Sequence, residues 1–216
     1  LRKLVKSIND GNDVPPASSP SSLVALLPGS RRKEVEEIFP IQLDAAAWIA
    51  RRHSTRFVVS KAPSISVAQL EDIYQIWQER NNSPLNMDIR TDESSLLLSQ
   101  SRCAIVKSGT STLEATILRV PFAMVYRLSS PSWYLARPFV RGNTYCLANL
   151  IAGERIVPEF IQHQATGENI GSYLLELLEN PHKREKVKVG LEYVSNKLGD
   201  KNAYQESARH VGKLLF

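Results

Sequence analysis

The chain has 216 residues, 43% of them hydrophobic, and a formal net charge of +5 at pH 7. This length can bury a core, and no apolar run approaches the roughly 18 residues of a membrane-spanning helix. The N-terminus lacks the charged-then-apolar pattern of a signal peptide, which indicates a cytoplasmic compartment. The positive charge favours anionic partners such as phosphates, nucleic acid or an acidic membrane surface.

The N-terminal stretch and the cysteines limit the organisation of the chain. The chain begins at Leu1 instead of Met, which suggests a piece of a longer protein. The first residues are compatible with a helix, and the Asp-, Asn-, Pro- and Ser-rich stretch after them indicates a linker. We therefore expect a junction at 1–22 and one domain at 23–216. Cys103 and Cys146 form no CxxC pair, which argues against disulfides and zinc.

Continuous apolar runs alternate with segments of helical period along the rest of the chain. The run Leu23–Leu27 predicts a strand buried on both faces of a parallel sheet. Further strands are predicted at Arg56–Ser60, Met87–Arg90, Ala104–Val106 and Phe122–Tyr126. Helices are predicted after Ser30 and at Ser66–Gln78, Glu93–Gln100, Ser111–Leu118, Gly171–Leu178, Pro181–Leu198 and Ala203–Leu215. This alternation predicts an α/β fold with a Rossmann-like, doubly wound parallel sheet.

The turn Ser108-Gly109-Thr110 connects a predicted strand to a predicted helix. A small-residue turn into a helix N-terminus presents free backbone N–H groups and a positive dipole end, which together favour a phosphate. Glu114 has two interpretations. It completes an S/T-x-x-E capping box with Ser111, or it binds a ligand.

The turn Pro28-Gly29-Ser30 forms a second junction of the same kind, and Arg31, Arg32 and Lys33 follow it. Cations at a helix N-terminus oppose the macrodipole by about 0.3–1 kcal/mol each, and a bound anion would offset that cost. Alternatively, the three side chains extend into water. Arg31 is the best candidate because guanidinium suits bidentate phosphate contacts. Both junctions follow strands, so we expect them to face one crevice at the carboxyl ends of the sheet.

Five motifs resemble lipid-A-disaccharide synthase in their order and approximate spacing. They are Leu26–Arg31, Ser108–Glu114, Tyr126–Arg127, Asn149–Gly153 and Pro158–Gln162. The resemblance runs from about Leu23 to the C-terminus and is to the C-terminal, donor-binding half of this GT-B glycosyltransferase. Ala148 and Lys107 depart from the pattern, because the family commonly has proline and a small residue there. Lys107 adds a phosphate contact or points to solvent.

The resemblance implies an inverting transfer of 2,3-diacylglucosamine from its UDP donor to 2,3-diacylglucosamine 1-phosphate, without a cofactor or metal. It implies that the acceptor site and the base lie in the other half, so that this piece is inactive alone. The implied location is peripheral, on the cytoplasmic face of the inner membrane, with an anionic membrane surface as partner. A homodimer is a further expectation, and nucleic acid is not expected as a partner.

The candidate site residues follow from the two junctions and the resemblance together. Arg31 and Asn149 are the expected catalytic residues. A structural role for Asn149, capping the next turn, is the alternative. Substrate contacts are expected from Ser30, Ser108, Gly109, Thr110, Glu114, Tyr126, Arg127, Glu159 and Gln162.

Other functions remain open at this level. The turn followed by a glutamate also suits a UDP-N-acetylglucosamine 2-epimerase. The basic charge suits a non-catalytic nucleotide- or RNA-binding module. The aromatic and basic segment Ser132–Val140 is either a membrane-contacting patch or an amphipathic helix packed on its own domain.

Overall fold

The computed structural model describes residues 22–91, 94–127 and 144–198. Several predicted features lie outside these ranges. They are the helix and linker before Ser22, the segment Ser132–Val140 and the helix Ala203–Leu215. Within the described ranges, no helix combines the length and the apolar character needed to cross a membrane.

The described residues form a parallel sheet of six strands. The strands are β1 (Ser22–Leu27), β2 (Thr55–Ser60), β3 (Met87–Arg90), β4 (Cys103–Lys107), β5 (Phe122–Tyr126) and β6 (Glu159–Ile161). Their order is β3-β2-β1-β4-β5-β6, so the winding reverses between the neighbours β1 and β4. The predicted doubly wound parallel sheet is confirmed.

Helices cover both faces of the sheet. They are α1 (Arg32–Ala50), α2 (Val67–Asn81), α3 (Ser94–Ser99), α4 (Thr110–Ile117), α5 (Leu147–Ala152), α6 (Gly167–Glu179) and α7 (Pro181–Lys197), with a 3₁₀ turn at Gln162–Gln164. The helix α6 begins earlier than the predicted Gly171 because the Thr166 hydroxyl accepts a hydrogen bond from Asn169 N–H and caps it. The short elements α5 and β6 were not predicted.

The core lies around the central strands, which are buried on both faces. Val24, Ala25 and Leu26 of β1 are fully buried, and so is Ile105 of β4. This burial explains why both strands are continuous apolar runs without polar alternation. Cys103 opens β4, and burial raises the pKa of its thiol to about 12, so the thiol stays protonated at neutral pH.

A buried glutamine of α1 joins the two strands at the reversal. The Gln42 side-chain nitrogen donates to Leu27 O of β1 and to Ile105 O of β4, both at 3.1 Å. Both carbonyls belong to buried residues of the two strands. Gln42 therefore holds the carboxyl ends of β1 and β4 in a fixed relation.

The helix α6 lies close against α1 at a glycine. A Cβ atom on Gly167 would lie 2.7 Å from the backbone carbon of Asp44, and backbone cannot move aside cheaply. Further along α6, a Cβ atom on Gly171 would lie 2.8 Å from the ring of Trp48. Glycine at these positions sets the distance between the two helices.

We predict that Gly167→Ala destabilises the protein by about 1–3 kcal/mol because the methyl group overlaps α1. In an exposed helix interior the same change stabilises by about 1 kcal/mol, so the sign of the effect is diagnostic. Urea unfolding measures it. Ser172→Ala on the exposed side of α6 is the control and should stay within about 0.5 kcal/mol of the original protein. A Gly167→Ala protein as stable as the original would contradict the close packing.

Candidate functional site

A crevice of about 870 Å³ opens at the carboxyl ends of β1 and β4, where the strand order reverses. We call it the β1/β4 crevice. In open α/β sheets, ligands bind at this position. Its lining residues are Leu27, Gly29, Ser30, Arg31, Glu34, Ser60, Lys61, Ala62, Pro63, Thr91, Ser94, Ser95, Lys107, Ser108, Gly109, Thr110, Ser111 and Glu114.

Both predicted junctions line this crevice. Residues 29–31 contribute after β1, and residues 107–111 contribute after β4. Gly29 has φ +116°, a conformation that glycine adopts at low cost, so the first turn depends on it. The prediction that the two junctions face one crevice is confirmed.

The helices α1 and α4, which begin at the crevice, have no side-chain caps. Neither Arg31 before α1 nor Gly109 before α4 offers a side-chain acceptor to the first turn. By contrast, α2, α6 and α7 are each capped by a side chain, from Ser66, Thr166 and Asn180 respectively. The first-turn N–H groups of α1 and α4 therefore have no side-chain acceptor and can bind an anion in the crevice.

The donors after β4 differ by one residue from the predicted set. Ser108 N–H donates to Val125 O of β5 at 2.9 Å, so it belongs to the sheet and is not free. The prediction that Ser108 N–H is free to bind a phosphate is therefore wrong. Among the described residues, the N–H groups of Gly109, Thr110 and Ser111 meet no acceptor. These three residues line the crevice.

Two of the three basic residues after β1, Arg31 and Arg32, form ion pairs with carboxylates of α1. Arg31 caps α1 instead of lying in its first turn, and its guanidinium lies 3.2 Å from Glu34 Oε1. Arg32 pairs with Glu36 at 2.9 Å. The argument that an anion must offset these charges is therefore corrected, because two carboxylates of α1 already do so. Arg31 still lines the crevice, with its side chain 82% exposed.

Lys107 lies in the crevice, which decides between the two interpretations of this residue in favour of the inner position. Its side chain is 16% exposed, and its ammonium lies 3.0 Å from Glu34 Oε1. The ammonium also lies 5.9 Å from the centre of the Tyr126 ring. A lysine thus stands between the ends of β4 and β5 and the start of α1.

Glu114 does not form the capping box. Ser111 is the second residue of α4 and not its cap, so the geometry of that motif is absent here. Glu114 Oε2 instead accepts a hydrogen bond from the Ser94 hydroxyl of α3 at 2.5 Å. Among the described residues no donor contacts Oε1, and the half-buried carboxylate lines the crevice. Glu114 therefore retains an acceptor for a ligand.

Five predicted site residues do not line the crevice. Three of them lie at or just after the carboxyl ends of β5 and β6. Tyr126 ends β5 and Arg127 comes next, while Gln162 follows β6 with φ +52°. Burial raises the pKa of Tyr126, and so does the nearby Glu34 carboxylate, whereas Arg31 acts in the opposite direction. Tyr126 therefore stays a neutral phenol beside the crevice at neutral pH.

The other two, Asn149 and Glu159, form a buried network. Asn149 is 1% exposed, and its amide nitrogen donates to Val157 O and to Glu159 Oε1, both at 2.8 Å. Its oxygen accepts from the N–H groups of Ile156 at 2.8 Å and Val157 at 3.0 Å. These four bonds use the full capacity of the amide. The geometry supports the structural alternative for Asn149, holding the loop before β6.

The crevice also contains residues that the sequence analysis missed. Residues 60–63 follow β2, and Thr91 follows β3. The Ser64 hydroxyl of the first loop donates to Ser30 O at 2.5 Å, which ties that loop to the β1 junction. Residues 60–63 and Thr91 come directly after predicted strands. This position could have identified them, because all parallel strands end at the same edge of the sheet.

The strand order and the crevice together define a Rossmann-like domain, the fold that GT-B glycosyltransferases contain twice. Solved structures share this fold at low sequence identity. The spinosyn rhamnosyltransferase SpnG matches 91% of this chain and 46% of its own, with a TM-score of 0.57 and 14% identity. WaaG, a glycosyltransferase involved in lipopolysaccharide biosynthesis, matches 97% of this chain and 50% of its own, with a TM-score of 0.56 and 14% identity.

The chain belongs to the lipid-A-disaccharide synthase family. The sequence profile described as Lipid-A-disaccharide synthetase matches residues 8–211. The Lipid-A-disaccharide synthase of Solibacter usitatus is 37% identical over 177 residues, which are 82% of this chain and 44% of the relative. That of Koribacter versatilis is 33% identical over 196 residues, 87% of this chain and 48% of the relative. The chain thus spans about half the length of these relatives. Family membership favours the glycosyltransferase interpretation over the epimerase and the RNA-binding module.

We predict that Asn149→Ala lowers the free energy of unfolding by about 3 kcal/mol, because the N–H groups of Ile156 and Val157 lose their acceptor and the buried Glu159 carboxylate loses a donor. Urea unfolding of the full chain measures the loss. Asn196→Ala, on an exposed position of α7, is the matched control and should change stability by less than about 0.5 kcal/mol. Equal stability of the two variants would show that the buried network is not needed for the fold.

Proposed function

We propose that the chain is the donor-binding half of a lipid-A-disaccharide synthase. In this proposal, the β1/β4 crevice holds the UDP of UDP-2,3-diacylglucosamine, and the sugar passes with inversion to 2,3-diacylglucosamine 1-phosphate. Family membership supports this assignment. The remaining half of the relatives' length would supply the acceptor site and the base.

The single observation that carries the proposal is the meeting of two uncapped helix N-termini at one crevice. The donor carries a diphosphate, and sugar transfer increases the negative charge on the departing phosphate. Fixed N–H donors stabilise such a charge without reorganisation, and a guanidinium adds a charged donor once it turns to the phosphate. Gly109, Thr110 and Ser111 would supply N–H donors, and Arg31 would supply the guanidinium. Ser30 lies beside Arg31 in the same lining.

Glu114 would bind the ribose. Vicinal hydroxyls donate to carboxylate oxygens, and Oε1 retains this capacity. The Ser94 hydroxyl that contacts Oε2 can rotate to a ligand oxygen while it stays near the carboxylate. A uridine moiety would then extend from the diphosphate towards α3.

The membrane location belongs to the same proposal. The net charge of +5 supports attraction to an anionic surface, and both sugar substrates carry acyl chains. We propose a peripheral position on the cytoplasmic face of the inner membrane. The homodimer stays a prediction.

We predict that Arg31→Ala weakens UDP binding about tenfold, the loss expected for a hydrogen bond to a charged group. Arg32→Ala is the matched control, because Arg32 is equally exposed but pairs with Glu36 and does not line the crevice. Its affinity should stay within about twofold of the original value. Calorimetric titration with UDP measures both, and equal losses would contradict the assigned role of Arg31.

We also predict that Glu114→Gln weakens UDP and uridine binding by a similar factor of about ten, since the contact is to the ribose and not to the phosphates. Stability should change little because the amide oxygen can still accept from Ser94. Titration with UDP, uridine and single-stranded RNA tests the proposal as a whole. Preference for RNA over UDP, or unchanged UDP affinity in Glu114→Gln, would reject it.

A further inference from the structure

One carboxylate oxygen in the β1/β4 crevice faces two cations from opposite junctions. Glu34 Oε1 lies 3.2 Å from Arg31 Nη1, at the start of α1. The same oxygen lies 3.0 Å from Lys107 Nζ, at the end of β4. All three side chains line the crevice, so Glu34 bridges its two sides.

The bridging carboxylate lies over the first turn. A Cβ atom on Gly29 would be 3.2 Å from Glu34 Oε2, so the carboxylate sits against the glycine turn that leads from β1 into α1. Exposure decreases inwards, from 82% for Arg31 to 23% for Glu34 and 16% for Lys107. The pair of Glu34 and Lys107 is therefore partly shielded from water, where charges interact more strongly.

Two cations converging on a single oxygen is also the contact that they would make with a phosphate oxygen. Glu34 and a phosphate would thus compete for the same donors. In addition, the carboxylate would repel a phosphate placed at the N-terminus of α1. Glu34 is also the acidic residue in the first turn of α1, where a negative charge stabilises the helix, so a phosphate at this N-terminus would take over that role as well.

We propose that Glu34 is an internal counter-anion, which a diphosphate displaces from Lys107 and Arg31. Lys107 is then a phosphate-binding residue of this chain. The inference rests on the proposed function for the identity of the ligand, the diphosphate of a UDP-sugar. Glu34 weakens diphosphate binding and so favours release of the nucleotide product.

The test is calorimetric titration of the full chain with pyrophosphate, UDP and uridine. We expect Glu34→Gln to strengthen pyrophosphate and UDP binding about fivefold, the smallest change in affinity that is typical when two binding events are coupled. Uridine binding should not change. We expect Lys107→Met to weaken pyrophosphate and UDP binding about tenfold, again without effect on uridine. In the double variant the gain from Glu34→Gln should shrink, because Lys107 is one of the two cations that it frees.

Glu36→Gln is the matched control. Glu36 lies on the same helix and pairs with an arginine, but it does not line the crevice. It should leave all three affinities within about twofold. If Glu34→Gln fails to fold, Glu34→Asp carries the same expectation with a smaller gain, since its shorter side chain withdraws the carboxylate from both cations.

Several results overturn the inference. Pyrophosphate affinity that is unchanged or weakened in Glu34→Gln would assign Glu34 to structure alone, as would an absence of pyrophosphate binding in both forms. If UDP binds and depends on Glu114 while Glu34→Gln has no effect, the inference fails and the proposed function stands. If the pyrophosphate pattern holds but UDP binds no better than pyrophosphate, the inference stands and the proposed function fails.

Discussion

The reversal of winding between β1 and β4 is the constraint on which the rest of the structure depends. Because the two strands are neighbours and each leads into a helix, two helix N-termini open at one place. Their unpaired N–H groups concentrate positive potential there. Gln42 fixes the two strand ends from below by donating to a carbonyl of each, and Gly167 lets α6 pack closely on α1. The packing thus holds the N-termini of two helices in a fixed relation, so little entropy is lost in ordering them when a ligand binds.

The groups proposed to contact the ligand are already held in place. The charged side chains have partners within the protein, and the N–H groups are fixed by the helix to which they belong. Glu34 pairs with Arg31 and Lys107, and Ser94 donates to Glu114. Such partners hold the side chains near their working positions, which lowers the entropy lost on binding. They also have to be exchanged for ligand atoms, so affinity reflects a difference between two sets of contacts. In the proposed function, binding would therefore exchange contacts within the crevice for contacts with the ligand.

The sheet was predictable because buried parallel strands are continuous apolar runs, and the two junctions followed from their position after such runs. The segment β6 was not, since three residues carry no periodicity and their pairing with β5 depends on distant sequence. The hydrogen bond from Ser108 N–H to Val125 O was missed for the same reason, because its acceptor lies on a neighbouring strand. Glu34 was missed for a related reason. Its role depends on Lys107, which is remote in sequence and near only in the fold.

The buried carboxylate of Glu159 has a consequence for how this domain tolerates change. It accepts hydrogen bonds from Tyr145 N–H at 2.7 Å and Cys146 N–H at 3.1 Å, as well as from Asn149. Residues 145–146 are thereby fastened to the edge strand, whatever precedes them. Since β6 pairs with β5, the position of residues 145–146 is set by the edge of the sheet itself. A change at Glu159 would therefore act on two segments at once, the edge strand and the start of α5.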